Sequence, residues 1–148
     1  ALADTSDELF ERTFSINVRG TFNTLREAAT RLNDGGRVVN FSSSTVAMSL
    51  PNYSVYAGSK AAVEVLTPIF AKEMRGRSIT VNAVAPGPVA TDLFFNGKTE
   101  AQIQQLANMP PLQRLGQPDD IAAAVSFLVG PDGGWINGQV LRANGGLA

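Results

Sequence analysis

Tyr56 and Lys60 are the residues of this sequence best suited to acid–base chemistry, since they are four positions apart and share one face of a helix. An ammonium next to a phenol stabilises the phenolate, so such a pair can donate or accept a proton near neutral pH without histidine. The chain has two Tyr and three Lys, so chance alone would produce roughly 0.04 pairs at this spacing. The alternative is a surface lysine that lies along a tyrosine on an ordinary helix.

The composition excludes several other kinds of site. The 148 residues include no Cys and no His, which excludes disulfides, thiol nucleophiles, imidazole bases and the zinc sites built on those residues. We therefore predict no metal site. With 12 Lys and Arg against 13 Asp and Glu, the net charge gives no reason to expect a nucleic acid or a membrane surface as partner. No apolar run approaches the length of a membrane span, and the absence of a secretory signal and of Cys predicts a cytoplasmic protein.

Three further positions have residue types that could contact a ligand, and each has a plainer interpretation. A Ser43 hydroxyl at the end of a strand can donate to a substrate oxygen, although Ser also commonly ends strands. Pro86 and Gly87 could let the backbone approach a flat ligand closely, and Thr91 could bind it, or the segment is a simple turn. Asn17 lies in the middle of a helical pattern, where it either faces water harmlessly or marks a locally opened helix. From the residue alone the harmless interpretation is favoured.

The elements that must position these residues follow from hydrophobic periodicity and from turn and cap signals. Strands and helices alternate along the chain after a first helix that has capping-box spacing at Thr5 and Glu8. The predicted elements are a helix over about 5–32, a strand over 37–43, a loop over 44–52, a helix over about 53–75 that contains Pro68, a strand over 78–85, an excursion over 88–117 with a short helix capped by Thr99 and Gln102, a helix over 118–129 and a strand over about 138–142.

This alternation predicts an α/β fold with a parallel sheet covered by helices. Three strands and three main helices correspond to about half of a doubly wound domain. The sequence contains neither GxGxxG nor GxxxxGK[ST] and begins without Met in the approach to a helix. We therefore expect residues 1–148 to be the C-terminal half of a doubly wound, Rossmann-like domain whose dinucleotide-binding N-terminal half lies outside this sequence.

The motifs together resemble the short-chain dehydrogenase/reductase family. Tyr56-x-x-x-Lys60, with Ser43 thirteen residues before the tyrosine, is similar to the active site of that family, and so is Asn17 within FSINVRG. The match covers the whole chain in the right order and is nearest to the compact branch that contains 3-oxoacyl-carrier-protein reductases. Further matching segments are PGPVAT at 86–91, RLGQPDDI at 114–121, WINGQ at 135–139 and NGG at 144–146.

The resemblance implies hydride transfer between NAD or NADP and a small-molecule carbonyl or secondary alcohol. It implies that Tyr56 is the general acid in reduction and that Lys60 favours its phenolate and binds the nicotinamide ribose. Ser43 would hold the substrate oxygen, and Asn17 would anchor a water that relays protons to Lys60. The Val89 backbone would bind the carboxamide together with Thr91, above a floor formed by Pro86 and Gly87.

The resemblance also implies a homotetramer and an apolar lid over the substrate within the excursion at 88–117. The apolar lid residues are Leu93, Phe94, Phe95, Ile103 and Leu106. Two departures from the family pattern stand out: the glycine-rich turn and the NNAG segment are absent, and Asn144 replaces the usual Asp, which we expect to be minor. The segment alone is expected to be inactive, because the cofactor's diphosphate and adenosine have no cradle in it.

Two alternatives remain open from the sequence. The chain could be a truncated, non-catalytic protein that associates with intact subunits through its helix faces. It could also belong to the extended branch of sugar-nucleotide epimerases and dehydratases, which use the same Tyr-x-x-x-Lys pair. The PGPVAT segment and the short C-terminal region favour the compact branch. The choice between NAD and NADP, the physiological substrate and the direction of reaction are not encoded in these residues.

Overall fold

A three-stranded parallel sheet forms the centre of the fold, as the alternating pattern predicts. Its strands are β1 (Arg37–Phe41), β2 (Thr80–Pro86) and β3 (Val140–Ala143), which lie in this order, with Val38 opposite Val81 and Ala83 opposite Val140. The central strand is fully buried up to its last residue, because it is hydrogen-bonded on both sides and covered by helices. The structure is a computed structural model that describes residues 1–148.

Helices precede, connect and cover these strands. Two predicted start signals are confirmed: Thr99 and Gln102 form a reciprocal capping box, and Pro118 is the first residue of its helix. None of the helices combines the length and apolarity needed to cross a bilayer. The helices are α1 (Asp7–Phe14), α2 (Gly20–Arg31), α3 (Thr45–Met48), α4 (Ser54–Glu73), α5 (Asp92–Phe95), α6 (Glu100–Asn108) and α7 (Pro118–Val129).

The first predicted helix differs from the structure in its start and in its continuity. The prediction of a cap at Thr5 is wrong by one position, because helix α1 begins at Asp7 and the Ser6 hydroxyl accepts the Leu9 N–H at 3.3 Å. The Thr5 hydroxyl instead donates to a carbonyl of the preceding turn. Between α1 and α2 the chain forms a π-helical segment, Ser15–Arg19. Such wider turns are uncommon and often mark functional positions in helices.

Helix α4 continues through Pro68 without a break. A proline in a helix removes one backbone donor, so the prediction was a kink or a local repair. The buried Thr67 hydroxyl donates to the Val63 carbonyl at 2.8 Å and accepts the Asn40 side-chain amide at 2.9 Å. The first bond lies within α4 beside the proline, and the second attaches α4 to strand β1.

The apolar core joins α2, α4 and β2. Helix α7 packs on all three strands and buries Leu128. Burial is nevertheless limited, since only 20 of the 148 residues are buried. The buried core cluster consists of Leu25, Phe70, Ala71, Met74, Ile79 and Val81. Large apolar side chains remain exposed on α1, α2, α4 and the intervening π-helical segment, namely Phe10, Ile16, Phe22, Val65 and Ile69.

The excursion at 88–117 is closed at its base. Val89 pairs with Gly116 in an isolated parallel bridge. Arg114 then binds the Asp120 carboxylate through two N–O contacts of 2.6 and 3.0 Å. The Arg114 guanidinium, and after it the Gln117 backbone N–H, lower the pKa of Asp120 to about 2. The two ends of the excursion are therefore held together and attached to the start of α7, while its middle carries α5 and α6.

Candidate functional site

Tyr56 and Lys60 lie together in the first turns of α4, at the carboxyl end of β1. The Lys60 Nζ lies 5.9 Å from the centre of the Tyr56 ring. It also donates to the carbonyl of Phe41, the last residue of β1, at 3.0 Å. Burial lowers the pKa of the Lys60 ammonium, because a charged group loses hydration there. The structure therefore brings together the predicted pair at the sheet edge where parallel α/β folds bind ligands.

Ser43 has a hydroxyl that is free to donate. Its Oγ accepts the Thr45 backbone N–H at 3.3 Å and the Thr45 hydroxyl at 2.9 Å. Because both protons come from Thr45, the proton of Ser43 itself is not consumed within the chain. Ser43 and Tyr56 line the same cavity of about 400 Å³. Two hydroxyl groups from different elements therefore border this cavity.

The cavity wall is largely apolar. Of the five predicted lid residues, Leu93, Phe94 and Leu106 line it. Phe95 instead packs edge-on against Phe94, with ring centres 5.6 Å apart, and Ile103 lies on α6 away from the cavity. The predicted site residues did not include nine other residues that line the cavity, which are Ser44, Thr45, Met48, Leu50, Tyr53, Pro88, Lys98, Met109 and Leu147.

Asn17 lies within the π-helical segment, and its side chain bonds to helix α4. Its side-chain amide donates to the Ser59 hydroxyl at 2.9 Å, and that hydroxyl donates to the Tyr56 carbonyl at 2.7 Å. Ser59 is completely buried. The harmless interpretation of Asn17 is therefore wrong, and the helix is opened at this point. The role of Asn17 in a water relay to Lys60 stays a prediction.

The segment after β2 divides into two parts. Pro86 and Gly87 line the cavity, whereas Val89 and Thr91 lie outside it. The Thr91 hydroxyl caps α5 by accepting the Phe94 N–H at 3.2 Å. A side chain at position 87 would place its Cβ 2.9 Å from the Asn144 Cβ. Glycine is thus required there by the loop after β3, in addition to any approach of a ligand.

Asn144 connects three parts of the chain beneath the cavity. It is buried, and its amide nitrogen donates to the Ser44 hydroxyl at 3.0 Å. Its amide oxygen accepts the backbone N–H groups of Gly146 and Leu147. Ser44 in turn donates to the Ala85 carbonyl at 3.2 Å. Through these bonds the ends of β1 and β2 are attached to the turn after β3, next to Ser43.

Replacing Asn144 with Ala is expected to destabilise the full-length protein by about 1–3 kcal/mol, because buried groups lose their hydrogen-bond partners. Asn144→Asp is the matched control. Its carboxylate still accepts the two backbone N–H groups, and the Ser44 hydroxyl can turn to donate to it, while the bond from the amide nitrogen to the Ala148 carbonyl is lost. Urea unfolding of both variants measures the difference. Equal stability of the Ala variant and the parent would contradict this role of Asn144.

The sequence of this chain is similar to those of known dehydrogenases and reductases. A family model described as enoyl-(acyl carrier protein) reductase matches residues 1–148. A short-chain type dehydrogenase/reductase of Picea abies is 52% identical over 147 residues, which are 98% of this chain and 54% of that protein. An NADPH-dependent aldehyde reductase-like protein, chloroplastic, of Arabidopsis thaliana is 46% identical with the same coverage. The chain thus spans about half the length of the curated relatives that it matches.

Solved structures show the same architecture. The angucycline C-6 ketoreductase LanV with bound NADP superposes with a TM-score of 0.92 at 31% identity, covering 99% of this chain and 57% of that one. A blue fluorescent protein from a metagenomic library, in complex with NADPH, has a TM-score of 0.92 at 34% identity, with coverage of 99% and 59%. Both comparisons confirm a Rossmann-like arrangement of the described elements.

Proposed function

The chain belongs to the short-chain dehydrogenase/reductase family, and from this premise we propose that the full-length protein transfers a hydride between a nicotinamide cofactor and a carbonyl or secondary alcohol. The observation that supports the proposal best is the cavity shared by Tyr56 and Ser43, with Lys60 beside the tyrosine ring. The sugar-nucleotide alternative would use the same pair of Tyr56 and Lys60, and the non-catalytic alternative would use the exposed apolar helix faces, so the experiment must separate all three.

The residues at the sheet edge fit a nicotinamide. Pro86 and Gly87 form a cavity floor with little side chain, and the ammonium of Lys60 has donors left for ribose hydroxyls. Val89 and Thr91 follow at the same end of β2, where backbone and hydroxyl groups can meet the carboxamide. NADPH is the first cofactor to test, since relatives are described as NADPH-dependent and structural neighbours bind NADP or NADPH. When bound, the cofactor supplies or receives the hydride.

Residues of the chain itself supply the proton that the substrate oxygen receives. In reduction, the Ser43 hydroxyl donates a hydrogen bond to the substrate oxygen and holds it near Tyr56. The Tyr56 phenol gives its proton to that oxygen as negative charge develops on it. The Lys60 ammonium stabilises the phenolate that remains. Asn17 and Ser59 hold the turn of α4 that carries Tyr56. Oxidation of an alcohol runs through the same groups in reverse.

The proposed function is tested by incubating the full-length protein with NADPH and a panel of aldehydes and ketones. We expect net oxidation of NADPH and formation of one alcohol for each NADPH consumed. An epimerase or dehydratase would return its cofactor unchanged and show no net consumption. A non-catalytic chain would show no turnover with any substrate, and co-purification with another family member would then indicate the associating role.

The assembly and the compartment belong to the same proposal. Large apolar side chains exposed on α1, α2 and α4 support association of subunits, and we retain the homotetramer as the proposed state. A measurement of mass in solution on the full-length protein addresses it directly. The cytoplasmic location stays a prediction, and the two Arabidopsis relatives are described as chloroplastic.

A further inference from the structure

Lys98 is the only charged side chain that lines the cavity of Tyr56 and Ser43. It lies in the lid, between α5 and α6, and is half-buried. The mechanism of proton transfer makes no use of it. No Asp or Glu lines the same cavity, and most of the remaining wall is apolar or uncharged. The cavity therefore has a local positive charge that no group within it neutralises.

The position of the Lys98 ammonium is set by Phe94. Its Nζ donates to the Phe94 carbonyl at 2.6 Å and lies 4.7 Å from the centre of the Phe94 ring. These contacts hold the ammonium against a cavity-lining ring instead of leaving it extended into water. Lys98 forms no ion pair, whereas Arg31, Arg77 and Arg114 each bind a carboxylate. Two of its three N–H donors thus remain available for an incoming ligand.

We propose that Lys98 binds an anionic oxygen of the substrate, so that the preferred substrates are apolar aldehydes or ketones that carry an acidic group such as a carboxylate. This inference rests on the proposed reductase function and specifies its substrate class. The apolar wall would take the body of the substrate, Ser43 and Tyr56 its carbonyl oxygen, and Lys98 its acidic group. Because the Lys98 side chain is half-buried beside a largely apolar wall, water screens its charge less than that of a fully exposed lysine.

The other anion that could reach this charge is the diphosphate of the cofactor. Pro86 and Gly87 place the nicotinamide end of the cofactor in this cavity, but Val89 and Thr91, the proposed carboxamide contacts, do not line it, which favours the substrate as the ligand of Lys98. Lys98 instead shares it with Leu106, Met109 and Leu147, which suit the body of an apolar substrate. If Lys98 binds the substrate, its substitution impairs only acidic substrates. If Lys98 binds the cofactor diphosphate, its substitution weakens NADPH binding and impairs all substrates equally.

The experiment compares 4-formylbenzoate with its methyl ester as substrates of the full-length protein with NADPH. Lys98→Met is expected to lower kcat/KM for the acid by about 10- to 100-fold, the effect of losing one charged hydrogen bond, and to leave the ester nearly unchanged. Lys98→Arg should retain most of the preference for the acid. Lys72→Met, at an exposed position near the end of α4, is the matched control and should change neither substrate.

An equilibrium measurement makes the test independent of turnover. Binding of benzoate to the protein in the presence of NADPH, followed by calorimetry, should weaken about 10-fold or more in Lys98→Met and persist in the control. If the parent reduces no member of the panel of aldehydes and ketones but binds benzoate through Lys98, the reductase function fails and the anion site stands. Equal benzoate affinity in parent and variant, or no binding by either, would overturn the inference. So would a Lys98→Met variant with weaker NADPH affinity and equal losses for acid and ester.

Discussion

Tyr56→Phe is expected to lower kcat/KM for carbonyl reduction by about 10²- to 10⁴-fold, the usual contribution of a positioned general acid. The substitution removes the only proton donor that has a lysine ammonium beside its ring in the cavity. The phenyl ring keeps the shape of the side chain, so NADPH affinity should stay near that of the parent. Steady-state kinetics and fluorescence titration with NADPH on the full-length protein measure the two effects separately.

Tyr53→Phe provides a matched control for this experiment. Tyr53 lines the same cavity, and its ring centre lies 6.4 Å from that of Tyr56. Its neighbour at four positions along α4 is Ala57, however, so it lacks a cation on its helix face. We expect Tyr53→Phe to change KM modestly and to retain kcat. Retained turnover in Tyr56→Phe, or an equal loss in both variants, would assign the proton to another group.

Lys60→Met is expected to impair both cofactor binding and turnover, with kcat/KM falling by about 10²-fold or more. The variant loses the cation beside Tyr56 and the donors available to the nicotinamide ribose. Burial lowers the pKa of Lys60, because the half-buried ammonium loses part of its hydration. Removal of the charge should therefore not lower thermal stability much, and the loss of activity would not result from unfolding.

The readouts for Lys60→Met are the Kd for NADPH, kcat/KM and the melting temperature. Lys72→Met, on the same helix and exposed to solvent, should leave all three unchanged. Lys60→Arg keeps the charge but changes its geometry, and an intermediate activity would separate charge from position. Parent-like NADPH affinity in Lys60→Met would refute the proposed contact between Lys60 and the ribose.

The predicted strands and main helices agree with the structure to within a few residues, because the signals that determine them are local. The capping box at Thr99 and the helix start at Pro118 depend on hydrogen bonds within one turn. The pair of Tyr56 and Lys60 depends only on the helical repeat of α4. Local rules did not distinguish Thr5 from its neighbour Ser6 as the N-cap of α1. In the structure Ser6 caps the helix, and the Thr5 hydroxyl donates to a carbonyl of the preceding turn.

The other site features depend on residues that are far apart in sequence. Asn17 bonds to Ser59 across 42 positions, and Asn144 bonds to Ser44 across 100. No repeat or spacing encodes such contacts, since they form only when the helices and strands pack. The bond of Lys98 to the Phe94 carbonyl is local, but its place in the cavity wall also depends on the Val89–Gly116 bridge, which closes the base of the excursion at 88–117.

The sequence by itself thus determined the α/β fold class, the alternation of helices and strands, and the shared helix face of Tyr56 and Lys60, because helical and strand periodicity and turn chemistry act over a few residues. Only the tertiary structure decided that Ser43 and Tyr56 open into one cavity, which lid residues line it, and that its single charge is Lys98. These properties arise where distant segments meet, and their geometry depends on the packing of the whole sheet and its helices.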